Sequence, residues 1–417
     1  MMTISHVRDG MGVMPNAVSL FAGCGGFCEG MELSGFDVKV AVEIDPFAAE
    51  TYRHNFPSVP LFADDIANFL AGGDEHVRRY GLRDVDVVFG GPPCQGYSQI
   101  GTRDLKDARN SLYKQFARIV ERLQPRMFLM ENVPNLLLLN KGHFRDLILR
   151  KFADIGYANT IFLTVSAADY GVPQLRERVI FVGIRDSDAV SGSLHELCGG
   201  SLSAMRVRRP FTVREAISDL PDAVVASGEV LSYPERGSLS AFQRMMRLDC
   251  DGGPYTRKAK RSRAIGKAPI ALHNHHTKEI LARRLHLISL LKPGQKGDSL
   301  PKQVWNGRRP EKWRRLDPDQ PSYTILAQMH RDLSEWVHPH LQRWITVREA
   351  ARLQSFHDGF VFKSSEWQQL KQIGNAVPPL LAHALGKMAM TLLGNIRPRR
   401  RGERLRAGDL LQYAAAE

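Results

Sequence analysis

From Ala17 to about Arg185, short apolar runs rich in β-branched residues alternate with longer mixed segments. This spacing predicts strands joined by crossover helices, an α/β fold built on a doubly wound parallel sheet. Ala17–Phe21, Val38–Val42, Val85–Phe89 and Met127–Met130 read as its strands, and Ile161–Val165 with Val179–Ile184 as a late antiparallel pair. Asn110–Leu123 places apolar residues at 112, 116, 119, 120 and 123 and stops before Pro125, the pattern of an amphipathic helix. After Arg185, Gly, Ser, Pro and Arg dominate and periodicity weakens, which suggests a second domain or a large insertion. Helical spacing returns at Thr346–Gln354 and Pro378–Leu393. The expected organisation is a flexible N-terminus (1–15), a first domain (16–185), a second (186–345), a segment returning to the first (346–395) and a basic tail (396–417).

Composition narrows the class. The chain has 417 residues, 43% hydrophobic and 24% charged, enough to bury a core and unlike a disordered or fibrous protein. Fifty-seven Lys and Arg against 44 Asp and Glu leave +13, which suits a polyanionic partner. The excess is localised: residues 257–315 hold 17 basic and 3 acidic side chains, whereas 1–185 are almost neutral. Five cysteines without a CxxC pair point to reduced thiols and a cytoplasmic protein. No apolar run is read as approaching the roughly 18 residues of a membrane span.

Four constellations could carry chemistry. Ser19-Leu-Phe-Ala-Gly-Cys-Gly-Gly-Phe-Cys-Glu-Gly30 leaves the first strand as a Gly-rich turn, with Glu43 twenty positions after Gly23. It suits either a nucleoside-containing ligand or a purely structural turn. Gly90-Gly-Pro-Pro-Cys-Gln-Gly-Tyr-Ser98 follows a strand directly, where open α/β sheets place their ligands, so Cys94 reads either as a nucleophile or as one more small buried hydrophobe. Glu131-Asn-Val occupies the equivalent place after Met127–Met130, as an acid or as a structural acceptor. In Gln174-Leu-Arg-Glu-Arg178, alternation puts Gln174, Arg176 and Arg178 on one face, able to hold an anion or the polar edge of a base, or else forming a solvated strand edge. His273-Asn-His-His276 lacks the cysteines or helical spacing of a metal site, and no metal is expected.

FAGCGG, Glu43-Ile-Asp45, Asp65-Ile66, GGPPCQGYS, ENV, QLRER, REAARLQSF and QIGNAVPP stand in one linear order across roughly 16–185 and 343–393. The series resembles the motif set of the DNA (cytosine-5) methyltransferases. That resemblance implies a Rossmann-like, S-adenosylmethionine-dependent methyltransferase sheet with helices on both faces, and a smaller, irregular target-recognition domain at 186–345. It assigns Cys94 as the thiolate that adds to cytosine C6, Glu131 as the acid at N3, and Arg176 and Arg178 to the cytosine carbonyl. No motif supplies the base that removes the C5 proton. For S-adenosyl-L-methionine it assigns Phe21, Gly23, Gly25 and Gly26 to the methionine and sugar region and Glu43 to the ribose hydroxyls. Ile44 falls to the adenine face and Asp65 with Ile66 to its edge, with Pro92, Leu112, Asn375 and Val377 completing the pocket. Gln95, Ser98 and Arg109 would lie on a mobile loop closing over double-stranded DNA, with the target base flipped out. A monomer on DNA is expected, either a solitary methylase or the partner of a cognate restriction endonuclease. The competing readings are a transfer-RNA cytosine-5 methyltransferase and a catalytically silent DNA-binding regulator. Two positions depart from the family: Ser19 stands where many members have Asp, and His357 follows SF where Pro is common.

Overall fold

A computed structural model describes residues 14–93, 112–223, 230–234, 237–266, 271–277, 279–305, 313–327 and 336–398. Seven strands form one sheet: β1 (Asn16–Leu20), β2 (Asp37–Val42), β3 (Leu61–Phe62), β4 (Val87–Gly90), β5 (Met127–Asn132), β6 (Asn159–Ser166) and β7 (Glu177–Ile184). Their order is β3-β2-β1-β4-β5-β7-β6. The first five run parallel, whereas β7 is antiparallel to both β5 and β6. The expected late antiparallel pair therefore enters as an insertion, with β7 placed between β5 and β6. Strand order reverses between β1 and β4, and such a switch point opens a ligand crevice at the carboxyl ends.

Alternation along the strands builds two apolar layers. Ala17, Val87, Phe89, Met127 and Leu129 point to one face, and Val18, Leu20, Val88, Phe128 and Met130 to the other. Between β1 and β5 the chain forms α1 (Gly26–Ser34), α2 (Pro46–Asn55), α3 (Ile66–Ala71), α4 (Gly73–Arg79) and α5 (Leu112–Leu123). Asp45 opens α2 by accepting from the Phe47 and Ala48 N–H groups, with Pro46 at the first helical position. Helix α5 and α6 (His143–Asp154) cover the second face through Phe116, Val120, Ile148 and Phe152.

The remaining helices are α7 (Leu194–Ser203), α8 (Val213–Ile217), α9 (Ala241–Met246), α10 (Thr256–Ala264), α11 (Ala282–Leu290), α12 (Val347–Leu353), α13 (Glu366–Asn375) and α14 (Pro379–Asn395). Helix α14 lies along α1 on the first face. Residues 186–345 divide in two. Val213, Ile217, Phe242, Met246, Tyr255 and Leu316 join the core of the main sheet, and a small separate cluster holds Ile288, Leu291, Leu300, Trp313, Val337 and Trp344. Contrary to the reading that no apolar run approaches a membrane span, Glu366–Asn395 reaches the length and hydropathy of one; 78% of its most apolar window is buried inside the fold.

Candidate active site

The Gly-rich turn leaves β1 through Phe21 and Gly23, both with left-handed φ (55° and 57°), and enters α1 at Gly25 (φ 104°). Its glycines permit close approach: a Cβ on Gly26 would lie 2.4 Å from the Val377 carbonyl oxygen. The loop between α13 and α14 therefore rests on the turn. Asn375 is exposed at the end of α13. Glu43, at the end of β2, joins two loops: its carboxylate accepts from Gly23 N–H at 2.6 Å and from Asp45 N–H at 2.7 Å. Burial pushes this carboxyl up, while those two N–H groups pull it back. Asp65 caps α3 by accepting from Ala67 N–H, with Ile66 buried behind it, and Leu112 is half-buried at the start of α5.

Does this region fit a nucleoside-bearing methyl donor? Each Glu43 oxygen retains a lone pair beyond its backbone bond, a capacity suited to vicinal ribose hydroxyls. Beside it Ile44 is 60% exposed, an apolar side chain at the carboxyl edge of the sheet with nothing over it among the described residues. A flat aromatic base matches that face, so the residues present fit the group.

One strand over, the ends of β4 and β5 lie side by side, with Gly90 paired to Met130. A Cβ on Gly91 would come within 2.8 Å of Glu131 Oε2. The other Glu131 oxygen lies 2.7 Å from Arg178 Nε. Asn132 Nδ2 donates to the Pro92 carbonyl at 3.0 Å, which pins the buried proline two residues before Cys94. Asn132 carries no role in the motif reading; its place in ENV was the available signal. Cys94, Gln95, Ser98 and Arg109 lie outside the described residues.

The alternation read in QLRER holds, with residues 174 and 176 buried, 175 and 177 exposed, and 178 nearly buried. Its first two members have partners within the fold. Gln174 donates to the Leu353 carbonyl and the Gln354 side chain and accepts from Ile325 N–H. Arg176 donates through its two terminal nitrogens to the carbonyls of Ile325, Gly374 and Ala376. Free carbonyls at the end of α13 and that of Ile325 are thus satisfied together by one buried fork. Arg178 alone of the three meets Glu131. In the histidine cluster, His275 bonds the Thr346 hydroxyl and the Pro221 carbonyl; no group of three or more His, Cys, Asp or Glu able to hold a metal occurs among the described residues.

Fold and site together define a doubly wound α/β protein whose polar groups converge on the carboxyl edge of β1, β2, β4 and β5. The model of the C-5 cytosine-specific DNA methylase family matches residues 16–390, and the chain belongs to that family. It is 33% identical over 411 residues to the type II methyltransferase M.DdeI of Desulfomicrobium norvegicum, covering 91% of this chain and 90% of that one. It is 34% identical to the type II methyltransferase M.AgeI of Thalassovita gelatinovora, over 89% of this chain and 98% of that protein. The crystal structure of a putative DNA modification methyltransferase encoded within an E. coli prophage superposes with a TM-score of 0.71 at 29% identity, covering 91% of this chain and 99% of that one. The protein is thus a DNA cytosine methyltransferase.

Proposed function

We propose that the chain methylates C5 of cytosine at one duplex DNA sequence, with S-adenosyl-L-methionine as donor, through a covalent Cys94–C6 adduct on a flipped base. The cellular role proposed is the modification half of a type II restriction–modification pair. The observation that carries the reading is that, at the adjacent ends of β4 and β5, Asn132 anchors the Pro92 carbonyl while its neighbour Glu131 pairs with Arg178.

The chemistry follows from the residue types. C5 of cytosine is a poor nucleophile, and thiolate addition at C6 turns it into an enamine-like carbon. The Cys94 sulfur forms the bond to C6, the C5–C6 π electrons shift, and Glu131 hands a proton to N3 so that negative charge does not accumulate on the ring. Arg178 orients the Glu131 carboxyl and adds positive charge where the base carbonyl would lie. S-adenosylmethionine, when bound, supplies an electrophilic methyl group. After C5 has taken the methyl group, water takes up the C5 proton, the C–H electrons re-form the C5–C6 double bond and expel the Cys94 thiolate, and N3 returns its proton to Glu131. Glu43 would hold the ribose hydroxyls and Ile44 the adenine face, fixing the donor at the turn after β1.

Expression in a host lacking cytosine methylation, followed by bisulfite sequencing, tests the reading. Protected cytosines confined to one short sequence are expected. A genome converted throughout, from cells that hold folded protein, would overturn it, and labelled methyl entering RNA but not DNA would transfer the assignment to RNA.

A further inference from the structure

The basic excess of residues 257–315 does not all point outward. Helix α10, TRKAKRSRA, carries five cations and no acid. Its inner side holds Tyr255, Lys258, Ala259 and Ser262, and its outer side Arg257, Lys260 and Arg261 at i, i+3, i+4 spacing. The inner side is docked by specific bonds. Tyr255 donates its hydroxyl to the Ser355 carbonyl at 2.9 Å. Lys258 Nζ lies 2.7 Å from Glu29 Oε2, and His357 Nε2 stands 3.4 Å from the other oxygen of the same carboxylate. Glu29 is 1% exposed and belongs to the first turn of α1, three residues after the Gly26 that opens the helix. Such a carboxylate is tolerated only with its cation in place.

The inner and outer cations of α10 have different surroundings. The outward cations differ among themselves as well. Arg263 is matched by Asp251 at 2.6 Å and by Asp249, whereas Arg257, Lys260 and Arg261 have no ion-pair partner among the described residues.

We propose that Lys258 is a positioning residue that fixes basic helix α10 on the donor-turn helix α1, so that Arg257, Lys260 and Arg261 meet the phosphate backbone of duplex DNA in register with the reacting centre. The proposal rests on the reading of the chain as a DNA methyltransferase. Spending one lysine inside the fold holds the other three rigidly, and a rigid row of cations matches evenly spaced phosphates better than cations on a loop.

The test is binding of a labelled mixed-sequence duplex across a salt series, which needs no turnover, together with KM and kcat. Arg257→Gln/Lys260→Gln/Arg261→Gln should lower the slope of log affinity against log salt by about one per contacting cation, with kcat at saturating DNA retained. Lys258→Met alone orphans Glu29, so Lys258→Met/Glu29→Gln is the informative variant. It should melt as a folded protein and keep the donor KM, yet show a shallower slope and a several-fold higher DNA KM although Arg257, Lys260 and Arg261 remain. A wild-type slope in the triple variant would remove α10 from the DNA surface, and a wild-type slope in the double variant would remove the positioning role. Wild-type protein that binds DNA with the expected slopes but methylates none would instead sink the functional reading.

Discussion

Two residues before Cys94 the chain is held from outside its own loop: Asn132, on the neighbouring strand, donates to the Pro92 carbonyl at 3.0 Å. A nucleophile must approach along a narrow angle, and misplacement of about 1 Å costs about 10²-fold in rate. Asn132→Ala should therefore lower kcat by about that factor and raise the donor KM far less, since Pro92 is one residue of that pocket whereas Glu43, at the end of β2 three strands from β5, keeps its bonds to the Gly23 and Asp45 N–H groups. Steady-state kinetics at saturating DNA decides; an unchanged kcat would show that the anchor is dispensable. The nucleophile has its own test. Cys94→Ala should abolish methyl transfer while leaving DNA binding measurable. Duplex DNA with 5-fluorocytosine at the target should trap the wild type, because fluorine cannot leave as a proton does. A trapped adduct in the alanine variant would assign the thiol role elsewhere.

At the scale of elements, helix packing sets how closely the donor turn is held. Gly30 lies where α1 meets α14, and a Cβ there would come 2.3 Å from Ala382 Cβ and 2.4 Å from His383 N. Ser34 on the next turn donates to the His383 carbonyl and reinforces the approach. Glycine to alanine in an open helix gains about 1 kcal/mol in propensity. Here forced separation of two backbones costs about 1–3 kcal/mol, so the clash prevails. Gly30→Ala should lower the melting midpoint and weaken donor binding, because α1 carries the turn; thermal melts with and without S-adenosylmethionine measure both, and a stabilised variant would refute the contact. The same scale shows what was legible. Strands β1, β2, β4, β5, β6 and β7 were readable because short continuous runs of apolar and β-branched residues mark a sheet buried on both faces. Strand β3, two residues long, is too short to carry a period. Helix α2 was not read, because its apolar face is weak; its start rests on the Asp45 cap and Pro46. Alternation in QLRER was visible and its partners were not, because Ile325, Gly374 and Ala376 lie about 150–200 residues away and only folding brings their carbonyls together.

For the molecule as a whole, the segment read as a separate domain is fastened to the main core by buried charge. Arg352 on α12 donates to both oxygens of Asp358 at 2.8 and 2.7 Å, to Asp219 beyond α8, and to the Ala216 carbonyl. Arg247 meets the same Asp219, and Tyr233 donates to Asp358 at 2.5 Å. Arg352→Ala would leave two buried carboxylates short of their cation, at a cost of about 3–5 kcal/mol. Denaturant unfolding should register that loss, whereas a shift below about 1 kcal/mol would mean that the carboxylates are compensated elsewhere. Buried charge also sets the response to acid. Burial holds His338 and His383 down at about 4, so both enter the fold neutral, and stability falls as pH drops from about 6.5 toward 4. Glu32 opposes them: burial, with Glu29 nearby, raises it to about 7, so the fold prefers its protonated form and gains as pH falls through that range. Below about 4.5 the opposition ends. Against the cost of its burial Glu29 is held at about 2 by Lys258 and His357, and Glu215 at about 2 by Arg209, so the unfolded chain takes up protons that the folded one refuses. The melting midpoint should thus decline gently between pH 7 and 5 and drop steeply below about 4.5. Glu32→Gln, lacking the opposing group, should decline more steeply from about pH 6.5. A midpoint level to pH 3 in both proteins would show that these buried groups do not govern stability, and a variant that tracks the wild type throughout would remove Glu32 from the balance.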